Sequence, residues 1–377
     1  MDETTELDWL TLSRLPGCTA SVRRRLQCVE DSGTDNWPGR ILDAPDSTWR
    51  AAGAGPELLL TRRSLSRRGS RHPARQQALI DQEILRASGA ELLALGTREY
   101  PALLAEIHDP PPLLYLRGNR ETLLLPQLAV VGSRRHSSAA GRAARDISMQ
   151  LVASGFCISS GMALGIDAVA HRAALDAGGA TLAVMATGID LCYPRRHAAL
   201  AAAIREQGLL LTEFPPGTEP RREHFPQRNR LISGLSAGVL VAEAARRSGS
   251  LITARLGLEQ NREVFALPHS IYDPGGAGCN ALIQQGAKLV ESAADIVEEV
   301  ASLRAAQLLR QGMRQEKPEL PAALARVYDA VGYEPVSVDQ LVLAGQGDAA
   351  ELMAGLVELQ VLGLVENRTG LYMRKCG

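Results

Sequence analysis

The chain has 377 residues, a formal net charge of -1 and an apolar content of 45%. At roughly 150 residues per domain, this length predicts two or three domains. No apolar run approaches the roughly 20 residues of a membrane span, and the acidic start MDETTELDW does not resemble a signal peptide. We therefore expect a cytoplasmic protein that is neither exported nor inserted into a membrane.

The six cysteines are scattered along the chain and form no CxxC pair. This spacing favours reduced thiols over a structural zinc site, and we expect no bound metal. The net charge does not exclude nucleic acid, because binding needs only a local basic patch. Lysine occurs only at Lys288, Lys317 and Lys375, so nearly every cation is arginine. The planar fork of arginine suits phosphates and base faces, although a GC-rich genome also explains the bias.

Residues 1–80 are predicted to form a small helical domain of the SAM or helix-hairpin-helix kind. The stretch WLTLSRLPGCTASVRRRL has an apolar stripe at Trp9, Leu12 and Leu15 that is interrupted by Pro16-Gly17. A run of six arginines between positions 62 and 75 contains no acidic residue. It fits nucleic-acid contact and a solvated linker face equally well.

From position 128 the sequence changes to short apolar strands that alternate with helices. This alternation predicts an α/β domain over residues 85–303, with a doubly wound parallel sheet that is buried on both faces. Helical segments include Ile166–Ala177, Ala198–Gln207 and Leu251–Gln260. The predicted strands are Leu128–Val131, Phe156–Ser159, Leu182–Ala186, Leu209–Thr212, Val239–Ala242, Val264–Leu267 and Leu289–Val290.

A polar linker is predicted at 304–320, and a winged helix at 321–377. The last region has three short helical segments, and then a hairpin of Leu364–Glu366 and Leu371–Met373 around a turn at Thr369-Gly370. Four arginines and lysines stand against seven aspartates and glutamates in it. Because an acidic unit is poorly suited to phosphate, we expect the winged helix to contact protein.

Glycine-bearing turns follow three successive predicted strands. They are Gly132-Ser133-Arg134, the segment SGMALGID that contains Gly161, and Ala186-Thr187-Gly188. Glycine lets the chain turn sharply, and the helix that follows presents free N–H groups to an anion. Because the carboxyl ends of parallel strands meet at one edge of a sheet, the three turns predict an anion site there. Helix–strand packing by glycine alone is the alternative.

Most motifs of nucleotide enzymes are missing from the sequence. There is no GxxxxGK[ST] loop, and no GxGxxG follows the first core strand. GLSAG matches the GxSxG nucleophile elbow, but its Ser236 leads into a strand instead of following one. Asp167 and His171 share a helix face without the further ligands of a metal site, so we expect a helix cap and a packed histidine. We predict no catalytic residue and no cofactor.

The segment FPPGTEPRREHFPQRNRLISGLS, residues 214–236, combines proline turns, an aromatic ring and several arginines. Cations track phosphates while rings and guanidinium planes stack on bases, so such a segment suits a single strand of nucleic acid. A solvated charged loop explains the arginines but not the residues between them. We predict a turn-rich stretch whose contacts include Arg221, Arg222, Phe225, Arg228, Asn229 and Arg230.

A series of longer motifs occurs in order along the core. They are VGSR, SGMALGID, TGIDLCYPRRH, FPPG with FPQRNRLISGLS, EAARRSGSLITA and GAGCNALIQQGAKLV. Together with REYPALLAEIHDPPPLLYLRGN upstream, the series resembles the DNA-processing protein A family (DprA/Smf) over about 200 residues. The resemblance implies an extended Rossmann-like core, an N-terminal helical domain and a C-terminal winged helix.

The resemblance also implies a function: a non-enzymatic protein that binds incoming single-stranded DNA and helps to load the RecA recombinase during natural transformation and recombination. It further implies a homodimer built through the core. The family's basic DNA contacts correspond here to Arg134 and to Arg195, where arginine replaces the usual lysine. The DNA site predicted from motifs and resemblance comprises Gly132, Ser133, Arg134, Gly161, Gly188, Tyr193, Arg195, Phe225, Arg228, Asn229, Arg230, Ser248, Gly249 and Ser250.

Three features depart from the family pattern. His269, in FALPHS, stands where the family usually has glycine. LPGCTA lacks the second glycine of a phosphate-binding hairpin, so we do not expect that hairpin to bind phosphate. The winged helix is acidic, which argues against direct DNA contact.

Two other functions stay open. Rossmann-like nucleotide hydrolases of the lysine-decarboxylase-like group carry PGGxGTxxE, whereas this chain has PGGAGCN from Pro274 onward and lacks the glutamate that acts as acid or base. A RecA-binding adaptor with a vestigial pocket is the third possibility. Hydrolysis of nucleoside monophosphates would identify the enzyme, and single-strand binding would separate the binder from the adaptor.

Overall fold

A computed structural model describes residues 2–29, 37–301, 321–331, 336–343, 347–362, 365–368 and 371–374. The chain divides into two compact units, Met1–Val300 and Ala301–Gly377. The linker predicted at 304–320 lies outside the described residues. No helix in the described ranges is long and apolar enough to cross a membrane.

The N-terminal part of the first unit is helical, as the sequence predicts. Asp2 caps the first helix by accepting from the Thr5 N–H, and a left-handed Gly17 follows its end. Trp9, Leu12 and Leu15, the stripe residues, are buried. The helices are α1 (Glu3–Arg14), α2 (Ala20–Val29), α3 (Trp37–Asp43), α4 (Asp46–Ala51), α5 (Pro56–Arg68) and α6 (Pro73–Ser88).

A nine-stranded sheet follows, in the order β1-β2-β6-β5-β4-β3-β7-β8-β9. Within the set β3 to β9, every pair of adjacent strands is parallel. This confirms the predicted doubly wound sheet. β1 and β2 are antiparallel additions beside β6 that the sequence reading did not predict. The strands are β1 (Glu91–Ala94), β2 (Leu113–Gly118), β3 (Gln127–Val131), β4 (Cys157–Ser160), β5 (Thr181–Val184), β6 (Leu209–Thr212), β7 (Gly238–Val241), β8 (Glu263–Ala266) and β9 (Lys288–Leu289).

Helices cover both faces of this sheet. Alternate residues of β3 show the two layers: Leu128 and Val130 join the cluster with α8 and α9, while Ala129 and Val131 join the cluster with α11, α12 and α13. The N-terminal helices share a third cluster with β1, β2 and α10. The core helices are α7 (Ala102–Ala105), α8 (Ser138–Ala153), α9 (Ile166–Asp176), α10 (Ala198–Gln207), α11 (His224–Leu235), α12 (Ser250–Glu259) and α13 (Ala277–Gln284).

The second unit has three described helices and a small antiparallel sheet of order β10-β12-β11. Asp348 caps the longest helix by accepting from the N–H groups of Ala350 and Glu351. The hairpin is the predicted one, and its turn at Thr369-Gly370 lies outside the described residues. The elements are α14 (Ala322–Ala330), β10 (Val336–Ser337), α15 (Val338–Leu343), α16 (Ala349–Val361), β11 (Val365–Arg368) and β12 (Leu371–Arg374).

Candidate nucleic-acid interface

The order of the sheet reverses at β3, which lies between β4 on one side and β7 on the other. Ligands of open α/β sheets bind outside the carboxyl ends of the strands at such a switch point. The turn after β3 is fixed to both neighbours: the Ser133 N–H donates to Glu243 O at 2.7 Å, and Ser133 O accepts from the Ile166 N–H at 3.1 Å. Gly165 has φ +85° and lies against Ser133 O, which leaves no room for a Cβ.

A cavity of about 570 Å³ opens at this switch point. It is bounded by the loops after β3 and β7, by the first turns of α11 and by the loop that contains Tyr193. The arrangement brings together most of the site predicted from the sequence. Predicted residues that line the cavity are Gly132, Arg134, Tyr193, Arg222, Phe225, Arg228, Asn229, Ser248, Gly249 and Ser250.

The N-terminus of α12 points its first residues into this cavity. Gly249 precedes the helix without a side-chain cap, and Ser248 and Ser250 share a hydrogen bond of 2.7 Å between their hydroxyls. The N–H groups of Ser250, Leu251 and Ile252 already donate to Ser248 and Gly249, so the hydroxyls of the two serines are the donors that an anion can use. Gly249, Ser248 and Ser250 therefore form a polar wall suited to phosphate.

Two aromatic rings lie at the cavity beside an arginine. The rings of Tyr193 and Phe225 are 5.8 Å apart between centroids and tilted by 55°. The Cζ atom of Arg134 lies 5.8 Å from the Phe225 centroid, a cation–π distance. Tyr193 is 47% exposed. Exposed ring faces next to a guanidinium are what unpaired bases need for stacking.

Phe225 lies on a helix, because α11 begins at His224. The expectation of a turn-rich stretch is thus wrong for residues 224–235 and holds only for the residues before them. The helix turns Arg228 inward, together with Leu231, Ile232 and Leu235.

Arg228 is 4% exposed, and its guanidinium contacts backbone carbonyls. Its Nη1 donates to Gly161 O at 2.5 Å and to Val184 O. Burial lowers the pKa of Arg228 to about 10, against the opposing effect of nearby Asp167. Arg228 therefore fixes the turn after β4 under the cavity, and the predicted role as a phosphate ligand conflicts with these contacts.

Asp167 holds the same turn from the other side. Its Oδ2 accepts from the N–H groups of Gly161 at 3.1 Å and Ala163 at 3.2 Å. Burial raises the pKa of Asp167, while Arg228 and these N–H groups oppose the rise. The expected helix cap is wrong, since the carboxylate binds the preceding turn. His171 is packed as expected: its Nδ1 lies 2.7 Å from Thr181 Oγ1, and burial lowers its pKa to about 3.

Arg230 faces away from the cavity and forms an ion pair with Glu213. A second carboxylate, of Asp109, lies 3.9 Å from its Nη2. Burial raises the pKa of Glu213, and Arg230 opposes that rise. Because two carboxylates offset its charge, Arg230 has little left to attract phosphate.

The remaining predicted residues lie outside the cavity lining. Ser133 accepts from the Arg135 N–H, and Gly161 packs against Arg228. At Gly188, a Cβ would lie 2.6 Å from Asp190 Oδ1, so this glycine serves packing. Arg195 is exposed in the loop after β5, at the same edge of the sheet.

Adjacent arginine pairs are exposed in the loops after β3, β5, β6 and β7. None of these side chains forms an ion pair with the described residues. The motifs and the resemblance predict contacts only for Arg134, Arg195, Arg221 and Arg222, although the repeated RR dipeptide after a strand is a signal in the sequence for all four pairs. The pairs are Arg134-Arg135, Arg195-Arg196, Arg221-Arg222 and Arg246-Arg247.

Fold and site together define a Rossmann-like protein with an arginine-rimmed cavity at its switch point. Residues 91–301 match the family described as DNA recombination-mediator protein A, and residues 311–370 match the DprA winged helix domain. The chain belongs to this DNA-processing family, and its C-terminal unit is the family's winged helix. Both points confirm the resemblance found in the sequence.

Curated relatives and solved structures support the same family assignment. Protein Smf of Synechocystis sp. is 35% identical over 97% of this chain and 98% of its own length. DNA processing protein DprA of Streptococcus pneumoniae is 48% identical over 53% of this chain and 71% of its own length.

The X-ray structure of the Streptococcus pneumoniae protein covers 79% of this chain and 99% of its own, with 36% identity and a TM-score of 0.66. The Helicobacter pylori DprA structure, described for its single-stranded DNA binding mode, covers 56% of this chain and 96% of its own, with 27% identity and a TM-score of 0.51.

Proposed function

We propose that this protein binds single-stranded DNA along the carboxyl edge of its sheet. The observation that carries the proposal is the set of four exposed arginine pairs around a cavity with two aromatic rings. Arginines that meet phosphates release counterions and supply most of the affinity for nucleic acid. The single-stranded DNA binding named for the Helicobacter pylori relative supports the same ligand.

A single strand fits this edge better than a duplex. The rings of Tyr193 and Phe225 can stack only on bases whose faces are open, and a duplex hides those faces. The hydroxyls of Ser248 and Ser250 at the N-terminus of α12 can donate to one phosphate inside the cavity. Arg134 and Arg222 line the cavity, and the other exposed arginines of the four pairs can then follow the backbone of the strand in either direction.

The proposal includes no catalysis on DNA or nucleotides. Counting along PGGxGTxxE from Pro274 places the glutamate of the nucleotide hydrolases at Leu282, an apolar residue buried in the core. Asp167, a carboxylate at the cavity, is held by two N–H groups and Arg228. Ser236, in the GxSxG match, is buried and donates to Ile232 O at 2.8 Å. Asp167 and Ser236 thus both have structural partners.

The location, the oligomeric state and the protein partner that we propose are those of the family. We infer that the protein works in the cytoplasm as a homodimer and helps to load RecA onto the strand it holds. Apolar side chains support association through the core: Ile271 and Tyr272 are 85% and 89% exposed in the loop after β8, and Leu289 is exposed on the edge strand β9. Unpaired apolar surface beside a sheet edge favours contact with another chain.

A titration tests the proposal directly. Fluorescently labelled oligothymidine and a duplex of equal length are titrated with the full-length protein, and anisotropy is followed at several salt concentrations. We expect tighter binding to the single strand and a linear fall of log affinity with log salt. Equal affinity for both forms, or release of nucleoside or cleaved DNA during the titration, would refute the proposal.

A further inference from the structure

Three metal-ligating side chains meet at the carboxyl end of β7 and β8, outside the cavity described above. Glu243 follows β7, while His269 and Asp273 lie in the loop between β8 and α13. One oxygen, one ring nitrogen and one further oxygen from these residues all lie within 4.8 Å of one another. The sequence alone predicts no metal site, and His269 stands out in it only as a departure from the family glycine.

The hydrogen bonds of His269 determine which nitrogen is available. Its Nε2 lies 2.9 Å from the carbonyl of Ala242, and a carbonyl can only accept, so the proton is on Nε2. Nδ1 of the neutral ring then has a free lone pair, 3.6 Å from Asp273 Oδ2. Asn280 fixes the residue through two backbone contacts: its Oδ1 accepts from the His269 N–H, and its Nδ2 donates to His269 O.

Glu243 adds a buried negative charge to the same place. It is 2% exposed, and both carboxylate oxygens face the Ser137 N–H at the start of α8. No arginine or lysine of the described ranges forms an ion pair with it. A buried carboxylate is costly without a countercharge. With His269 in its neutral form, three acceptor atoms converge and the one printed donor to Glu243 is the Ser137 N–H, an arrangement that a cation relieves.

We propose that Glu243, His269 and Asp273 bind one divalent transition-metal ion of the zinc class. Imidazole with carboxylates suits zinc and its neighbours, whereas magnesium and calcium prefer oxygen alone. Tetrahedral ligand atoms about 2.1 Å from zinc lie roughly 3.4 Å apart, close to the 3.6 Å between Nδ1 and Oδ2. The carbonyl bound to Nε2 is the partner that metal-ligating histidines usually have.

The ion has a structural role at the border of the DNA-binding edge. Glu243 already holds the β3–α8 loop through the Ser137 N–H, and that loop contains Arg134 and Arg135. An ion bound by Glu243, His269 and Asp273 connects this loop to the β8–α13 loop, which contains the other two ligands. The proposal is independent of DNA binding, because its site shares no residue with the cavity lining.

Zinc binding by the untagged full-length protein tests the proposal, after treatment with a chelator and without DNA. Calorimetry should give one zinc per chain, and cobalt should produce the visible spectrum of a mixed nitrogen–oxygen site. Asp273→Asn removes one ligand oxygen yet keeps an acceptor for the Gly275 N–H, which donates to Oδ1 at 2.8 Å. We expect this variant and His269→Ala to weaken zinc binding at least about tenfold.

Asp176→Asn is the matched control, since Asp176 is an exposed carboxylate paired with Arg145 on another helix. It should bind zinc like the wild type. Absence of zinc binding in the wild type would overturn the proposal, and so would unchanged affinity in both Asp273→Asn and His269→Ala. So would an NMR spectrum in which the His269 ring keeps protons on both nitrogens at saturating zinc, because the residue is then an ion-pair partner of Asp273.

Discussion

The arginines of the N-terminal helices and those at the carboxyl edge of the sheet differ in what lies beside them. In the helical part, Arg14 pairs with Asp81, Arg75 with Asp8, Arg86 with Glu3, and both Arg62 and Arg63 with Asp46. At the sheet edge, the four arginine pairs form no ion pair with any described residue. Arg67 and Arg68 are an exception in the helical part, since they are exposed and form no ion pair with a described residue. The arginines that have carboxylate partners stabilise the fold, whereas those at the sheet edge leave their charge for a ligand.

The contrast also divides the predicted site itself. Arg134 lies exposed at the cavity, whereas Arg228, which lines the same cavity, is buried on protein carbonyls. Arginine content therefore does not identify a phosphate contact; partners and exposure do. The run of six arginines from position 62 supports the same conclusion, because Arg62, Arg63 and Arg75 bind carboxylate or carbonyl partners within the helical part.

The largest effect is expected on stability, from Arg228→Ala. Removing the guanidinium leaves Asp167 buried without its cation, and leaves Gly161 O and Val184 O without a donor. Arg228 and Asp167 influence each other's pKa without forming an ion pair, so the main cost is that of two buried carbonyls left without a donor, about 1–3 kcal/mol each. Urea denaturation of the variant should show a drop of this size. Arg134→Ala is the matched control, and its free energy of unfolding should stay within about 0.5 kcal/mol of wild type. Equal losses of stability in both variants would contradict the distinction between the buried and the exposed arginine.

The largest effect on DNA is expected from the double substitution Arg134→Ala with Arg195→Ala. Each phosphate contact contributes about 0.7 to the salt slope on a single strand, so the slope should flatten by about 1 to 1.5 units. Each lost charged hydrogen bond costs about 1.5–3 kcal/mol. Anisotropy titrations over a salt series measure both, and the melting temperature should barely move.

The control for that double variant comes from the N-terminal helices. Arg63→Ala with Arg86→Ala removes two exposed arginines that pair with Asp46 and Glu3. It should keep the wild-type affinity and salt slope. If the edge variant binds like wild type while folded, or if the helical variant loses as much, the cavity is not the DNA site.

A smaller effect is expected from Phe225→Ala. Base stacking on an aromatic side chain is worth roughly 1–3 kcal/mol and releases no ions, so affinity should fall while the salt slope stays constant. Phe225→Leu keeps apolar volume but loses the ring, and should fall nearly as far. A flattened slope in either variant would mean that the substitution displaces Arg134, whose guanidinium lies over this ring.

Periodicity and glycine turns in the sequence were enough to predict the parallel strands and the edge where the cavity lies. The sequence does not predict β1 and β2, because a short apolar run such as LLYLRG does not indicate which strand it pairs with. The partner of β2 is β6, almost a hundred residues further along the chain. The burial of Arg228 also depends on carbonyls from the turn after β4 and from β5. A local signal did exist, since Arg228, Leu231, Ile232 and Leu235 recur at the spacing of one helix face.

The smallest effect is expected from removing residues 304–377. The winged helix has more acidic than basic residues, so it should add no attraction to phosphate, and single-strand affinity should change by less than about twofold. The N-terminal helices must stay in this fragment, because they share a hydrophobic cluster with Tyr115 and Met185 of the core. Anisotropy with the same oligothymidine compares the fragment with the full chain. Loss of most of the affinity would place the DNA contact in the winged helix and leave the arginine pairs at the sheet edge without the role assigned to them.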